Sequence, residues 1–438
     1  MTRFLVAVTP VTGHMLPTSV LVAELVRRGH DVAWYTGAAF RTLVEGSGAQ
    51  WFPLRSGPDW SVTKPYDVVP ELRTTRGVAQ VRTAFSKLFI DGAPPALADL
   101  GEIHAGFRAE VVLGNALSFA ARWFSELHGV PHANIGTTVL GIYSRDTAPM
   151  GLGLPPLPGP IGRARNAVLT AAHRRIIFGP VSRHLDDVRS SVGLPRQGRD
   201  MVDTFATPYL YLQDTAESFE YPRSDLPPQV HFIGPLLTAD RTLPKRPQWW
   251  DEATSGRPVV LVTQGTVTNV DDHLIGATVE ALAGKDPLVI VAGADASLPL
   301  PDPLPSNVRI EGYVPMAALM PHVTAYVTNG GYGGVQRALA QGVPIVVAAG
   351  SEDKPEVAAR VAWSGAGIRL PQRPSAAEMR RALEALDTDP HYRANGRRIA
   401  DDMASHRPAE EGADLLEQLG RTQSPVIRGA WDGSSQPN

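Results

Sequence analysis

Residues 327–346 read VTNGGYGGVQRALAQGVPIV, with Asn-Gly-Gly-Tyr-Gly-Gly set between an apolar run and a short helical pattern. Glycine loses more backbone freedom on folding than any other residue, so this run needs a chemical reason. A strand, a bare turn and a helix start together make an anion site. The first-turn N–H groups have no helical partner, and the helix dipole adds partial positive charge there. Missing side chains at Gly330, Gly331, Gly333 and Gly334 would let a phosphate approach the backbone. VTQGT, 262–266, repeats the arrangement and ends on Thr266. One such turn is as readily a tight turn without a ligand; two in one half of the chain favour the ligand. In the other half TGHMLP, 12–17, sets His14 just before a helix that takes Pro17 at an N1-type position. An imidazole there can accept a proton near neutral pH. One histidine among 12, taken alone, is more commonly a capping or packing residue.

These residues need strand ends to hold them. Phe4 to Val8 reads as a buried strand, 17–28 as an amphipathic helix closed by Gly29, and HDVAWYTG as a second strand. WFPL, AEVVLGN, a helix from Ser118 to Leu127 and VPHANIG continue the alternation. Strands alternating with helices call for parallel sheets covered on both faces. Two stretches, 54–100 and 139–200, are loop-rich and helical, and insertions of that kind near strand ends usually shape binding sites. The Pro- and charge-dense stretch 214–256 reads as a linker between a domain at 1–213 and a second alternating series at 257–403. That series has helices near 316–321, 334–341 and 354–364. The tail from 422 to 438 has a disordered composition.

A chain of 438 residues suggests two domains, and its net charge of −3 offers no footprint for nucleic acid or an anionic membrane. The absence of cysteine excludes disulfides and thiolate metal sites. The N-terminal apolar run is too short for a signal peptide or a membrane span, so a cytoplasmic protein without membrane insertion is expected.

The motifs together resemble the family-1 glycosyltransferases, the group of plant UDP-glycosyltransferases and bacterial macrolide and flavonoid glycosyltransferases. The likeness runs from about Phe4 to Gly420 and is strongest over 311–370, where EGYVP, NGGYGG, GVP, SEDKP and GAG fall in register. It implies an α/β GT-B fold of two doubly wound, Rossmann-like domains facing across a cleft, with a last helix near 404–420 packing back on the first domain. It further implies a nucleotide-sugar donor on the second domain and a hydrophobic small-molecule acceptor on the first. The donor's diphosphate would meet Asn329 to Val335 and Thr266, and the nucleobase Tyr313 and the backbone of Val314. Asp353 would hold sugar hydroxyls, and His14 would be the base of an inverting transfer. Neither a cofactor nor a metal is expected, and Asp271-Asp272 reads as a helix cap.

The chain departs from the family pattern at four places. Asn329 stands for a His and brings no charge; Arg337 stands for the Glu that accepts ribose hydroxyl bonds. Lys354 follows Asp353 where the family has Gln, and Asn115 stands for the acid that orients the catalytic His. The expected reaction is hexose transfer, from UDP-glucose first and a dTDP-sugar second, to a hydroxyl of a phenolic, macrolide or terpenoid compound. Trp60, Phe85, Phe89, Ile142 and Tyr143 are either the acceptor wall or core beneath loops. The alternative is a catalytically silent homologue that binds a ligand or a partner; an epimerase would want further acid/base carboxylates at the donor sugar.

Overall fold

A computed structural model describes residues 1–57, 59, 61–240, 246–264, 273–293 and 300–429. The apolar runs form short strands in chain order. The first set is β1 (Arg3–Val6), β2 (Asp31–Thr36), β3 (Gln50–Pro53), β4 (Val111–Gly114), β5 (His132–Gly136), β6 (Leu210–Gln213) and β7 (Val230–Phe232). The second set is β8 (Val259–Thr263), β9 (Leu288–Ala292), β10 (Val308–Glu311), β11 (Ala325–Thr328), β12 (Ile345–Ala348) and β13 (Gly367–Leu370). They assemble as β3-β2-β1-β4-β5-β6-β7 and β10-β9-β8-β11-β12-β13. Neighbours run parallel, as in the registers Phe4 to Val111 and Tyr326 to Ile345. Burial on both faces explains why the strands read as continuous Val/Leu/Ile runs rather than as alternation. In each sheet the strand order reverses beside the first strand, between β1 and β4 and between β8 and β11. Open α/β sheets bind ligands in the crevice at such switch points.

One face of the first sheet buries Phe4, Val6 and Trp34 against Ala413, Leu416 and Leu419 of the C-terminal helix, Pro408–Thr422. That helix also lies on the first helix, Thr12–Arg27, through Arg28 to Asp414 (2.5 Å) and His30 to Glu417 (2.9 Å). Leu21 approaches to 2.9 Å of the place a Cβ on Gly412 would take, so the two helices touch closely.

The structure moves several expected boundaries. The first helix begins at Thr12, so His14 lies inside its first turn and Pro17 is within the helix rather than at its start. The N–H groups of His14 and Met15 both reach the carbonyl of Val11 (2.9 and 3.0 Å), which closes the turn early. The carbonyl that Pro17 leaves unpaired belongs to exposed Gly13, where no heavy atom crowds the backbone. The proline-dense stretch from 214 contains β7, the edge strand of the first sheet, so that sheet extends beyond 213. The tail is docked at its start: buried Val426 donates its N–H to Tyr209 O (2.9 Å), and Arg428 to Pro228 O (2.8 Å). The helix expected near 404–420 is found at Pro408–Thr422, set off by a proline from the preceding helix, Pro390–Ala404. Thr266, Asp271, Asp272 and Trp60 lie outside the described residues.

Candidate active site

At the first switch point Thr9 follows β1 and Asn115 follows β4. The Asn115 amide bridges the crevice, with Nδ2 2.6 Å from His14 Nδ1 and Oδ1 accepting from the Thr9 hydroxyl at 3.0 Å. Thr9 and Asn115 are buried and His14 is partly exposed. Desolvation holds the His14 pKa at about 4, so the imidazole is neutral at physiological pH. The amide orientation decides which ring nitrogen carries the hydrogen. An amide N–H only donates, so in this arrangement Nδ1 offers its lone pair and Nε2 holds the hydrogen. A half-turn of the amide sets its carbonyl on Nδ1–H, lets the Thr9 hydroxyl accept instead, and frees the Nε2 lone pair. Two acids of the same half that could have replaced the missing carboxylate, Asp91 and Glu102, are engaged elsewhere. Asp91 meets His184 (2.5 Å) and Lys87 (3.2 Å), and Glu102 lies 3.9 Å from Arg55.

The second switch point has the same plan. Asn329 follows β11 and donates to the carbonyl of Gln264, which follows β8. One of its N–H donors thus joins the two strand ends, and its Oδ1 is buried with no partner among the described residues. Beyond it the glycines divide into two kinds. Gly330 has φ +95°, and a Cβ there would meet Lys354 O at 3.2 Å; a Cβ on Gly334 would stand 2.4 Å from the Tyr326 hydroxyl. Both are glycine for the protein's own packing, which corrects the expectation that all four serve a ligand. Gly331 and Gly333 differ. Among the described residues, the nearest atom to a Cβ at Gly331 is Asn329 Oδ1 at 3.9 Å, and none comes within 4 Å of one at Gly333. In the helix that follows, Tyr332–Leu339, the Val335 N–H donates to Gly331 O (3.1 Å). Val335 is fully buried and its N–H is taken, so it offers nothing to an anion, and the first-turn groups before it remain the donors.

The other donor-side residues surround this turn. The Lys354 Cβ would stand 3.3 Å from a Cβ on Gly330, so the root of this side chain adjoins the turn, while its ammonium pairs with Glu352. Asp353 accepts a hydrogen bond from Thr138 of the first half, so the two halves meet at this carboxylate. Arg337 donates to Thr238 O (2.8 Å), and desolvation by burial lowers its pKa from the ordinary arginine value. Val314 is buried in the second core and Tyr313 is half-buried beside it.

On the first half Phe85 and Phe89, half-buried, have ring centroids 5.6 Å apart, and Phe85 meets Phe178 edge-on at 5.2 Å. The Tyr143 hydroxyl is 2.7 Å from His173 Nδ1 and 3.1 Å from Asp200 Oδ1. Burial first of all lowers the His173 pKa, to about 4. Ile142 does not belong to this wall: it is 9% exposed and packs with Leu140, Tyr211 and Val230 as core. Thr9, Thr138, His173 and Phe178 escaped sequence reading, because nothing local distinguishes them from packing residues. Among the described residues no cluster of three or more His, Asp or Glu could hold a metal, and no helix is long and apolar enough to cross a membrane.

Two Rossmann-like parallel sheets, each with its polar cluster at the switch point, make a GT-B fold. The calicheamicin glycosyltransferase CalG4 superposes with a TM-score of 0.76 at 23% identity, covering 96% of this chain and 99% of that one. The family described as Erythromycin biosynthesis protein CIII-like, C-terminal domain, matches residues 276–419. The 4'-demethylrebeccamycin synthase of Lentzea aerocolonigenes is 45% identical over 95% of this chain and 99% of that protein. UDP-glycosyltransferase 2 of Phaeomoniella chlamydospora is 33% identical over 95% of each. The chain therefore belongs to the family-1 natural-product glycosyltransferases, enzymes that use a nucleotide-sugar donor.

Proposed function

We propose that this enzyme transfers a hexose, glucose from UDP-glucose in the first instance, to a hydroxyl of a hydrophobic small molecule with inversion at the anomeric carbon. The observation that carries the donor reading is the open ground at Gly331 and Gly333, where no described residue gives a reason for a missing side chain. In this reading the diphosphate lies against the first-turn N–H groups of Tyr332–Leu339, with Lys354 supplying the charge that Asn329 lacks. Asp353 keeps Thr138 on Oδ2 and offers Oδ1 to hydroxyls of the sugar.

The acceptor oxygen attacks the anomeric carbon while its proton passes to His14 Nε2. The bond from that carbon to the diphosphate oxygen breaks, and its electron pair leaves with the nucleotide diphosphate. Backbone N–H groups stabilise the developing charge. His14 acts in the tautomer with hydrogen on Nδ1, held by the Asn115 carbonyl. Asn115 adds no charge to stabilise the imidazolium, so the base is weak and an acidic acceptor hydroxyl, such as a phenol, suits it best. The missing charge also favours the second reading, a homologue that binds nucleotide without turnover.

The pH dependence follows. His14 must be unprotonated, so kcat/KM stays flat through neutrality and falls on the acid side near its pKa of about 4. Asn115→Asp places a carboxylate on Nδ1–H and stabilises the protonated ring, which raises that pKa. We expect the acid limb to move upward by about 2 pH units and kcat for weakly acidic hydroxyls to rise about tenfold. An unmoved limb in a pH–rate profile would rule out the pairing as the control on basicity.

The nucleotide is tested by thermal stabilisation with UDP against dTDP. The name of the fungal relative supports UDP; Arg337, which accepts no hydroxyl bond, leaves a deoxyribose donor in play. Arg337→Glu restores an acceptor for a ribose 2′-hydroxyl and should shift the affinity ratio toward UDP about tenfold, the order of one charged hydrogen bond. An unchanged ratio would place Arg337 away from the ribose.

A further inference from the structure

The irregular segment between β5 and the helix Gly159–Ala172 is long for an unstructured connection, and such loops usually serve function. It belongs by sequence to the acceptor-binding half and carries Tyr143. Its middle rests on its own half, with Ile142 in the core beside Tyr211 and Tyr143 on His173 and Asp200, but both of its ends are anchored on the donor-binding half. At one end Thr138 binds Asp353, and Val139, 1% exposed, is part of the second half's core with Tyr332, Val357 and Ala358. At the other end Met150 packs on that same core. The next turn is held by one buried carboxylate: Glu356 Oε1 accepts the N–H of Gly151 at 2.8 Å and of Gly153 at 2.6 Å. Arg369 completes the grip by donating to Gly153 O at 2.8 Å.

Glu356 is itself fixed from behind. Its Oε2 lies 3.2 Å from Arg360 Nη1, and Arg360 Nε donates to Glu220 at 3.0 Å. Glu220 in turn accepts the N–H of Leu140 at 2.8 Å. Asp353, Glu356 and Arg360 stand at the start and along one face of a single helix, Lys354–Trp363, whose first turn adjoins the glycine turn. One helix of the donor half thus reaches the acceptor loop at Thr138, at Leu140 through Glu220, and at Gly151 and Gly153. Two backbone N–H groups converging on one buried carboxylate oxygen form a specific, charge-assisted clamp rather than general packing.

We propose that Glu356 is a positioning residue for the acceptor: from the donor-binding half it pins the 150–153 end of the loop that carries Tyr143, while His173 and Asp200 hold the Tyr143 hydroxyl from the first half. The acceptor wall is complete only while the halves are closed around this helix. The inference rests on the reading that the acceptor binds the first half. It touches neither the nucleotide turn nor His14, so its signature is a change in acceptor recognition without a change in nucleotide binding.

The test compares Glu356→Ala and Glu356→Gln with the wild type by hydrogen–deuterium exchange and by steady-state kinetics. Gln keeps an oxygen able to accept both glycine N–H groups, whereas Ala does not. Glu356→Ala should speed exchange in peptides covering 150–153 about tenfold or more, raise acceptor KM by about the same factor and leave UDP affinity unchanged; Glu356→Gln should restore most of both. Exchange at 150–153 unchanged in Glu356→Ala would overturn the proposal, as would an equal loss of UDP affinity. If Glu356→Ala does not fold, Arg369→Gln, at an exposed edge-strand position, takes its place with the same two criteria. The exchange readout needs no acceptor. Failure to find any sugar transfer by the wild type would therefore count against the transferase reading, and unchanged exchange against this inference alone.

Discussion

His14→Ala lowers the rate of sugar transfer by about 10²-fold or more and leaves UDP affinity where it was. The separation follows from the topology: His14 sits at the β1–β4 crevice of one sheet, and the glycine turn at the β8–β11 crevice of the other. General-base catalysis typically contributes about 10² to 10⁴, and a base with a pKa near 4 belongs at the lower end. The size of the loss should depend on the acceptor. A hydroxyl that ionises readily needs little help, so the ratio of wild type to variant shrinks as the acceptor's own pKa falls. A ratio independent of acceptor acidity, measured over a series of substituted phenols, would mean that His14 shapes the site without moving the proton.

Gly331→Val abolishes nucleotide binding, by about 100-fold or more, with stability changed by less than about 0.5 kcal/mol. Gly331 has φ −59° and ψ 123°, which any L-residue adopts, and open space where the side chain would go. Valine there disturbs only what approaches from outside. Gly334→Ala makes the opposite pattern the control. Its Cβ would stand 2.4 Å from the Tyr326 hydroxyl, so overpacking should cost about 1–3 kcal/mol. Calorimetry of UDP binding beside thermal unfolding separates the two. Undiminished UDP affinity in Gly331→Val would remove the diphosphate from this turn.

Much of this architecture is legible in the sequence because it is local. Apolar runs at βα spacing are enough to specify doubly wound sheets, and a glycine turn at a strand end marks a crevice wherever the sheet places it. Three things are hidden. β7 is masked because prolines at 227, 228 and 235 bracket a three-residue strand that only an edge position permits. The roles of the four glycines are indistinguishable by type, since Gly334 answers to Tyr326 on the preceding strand and Gly331 to none of the described residues closer than 3.9 Å. Ile142 looks like pocket wall because it is apolar and in a loop, and only the fold shows it packed against Tyr211 and Val230. The clamp is the extreme case. Glu356 reads as an ordinary first-turn helix acid, and its partners Gly151 and Gly153 lie 205 and 203 residues away.

The central claim is tested most directly by mass spectrometry of a mixed phenol and macrolide panel incubated with UDP-glucose or dTDP-glucose, wild type beside His14→Ala. The account predicts a hexose adduct on a phenolic hydroxyl with the wild type and UDP-glucose, reduced about 10²-fold or more in the variant. Equal adduct formation by both proteins would contradict His14 as the base, and nucleotide binding with no adduct from either donor would contradict the proposed transfer itself.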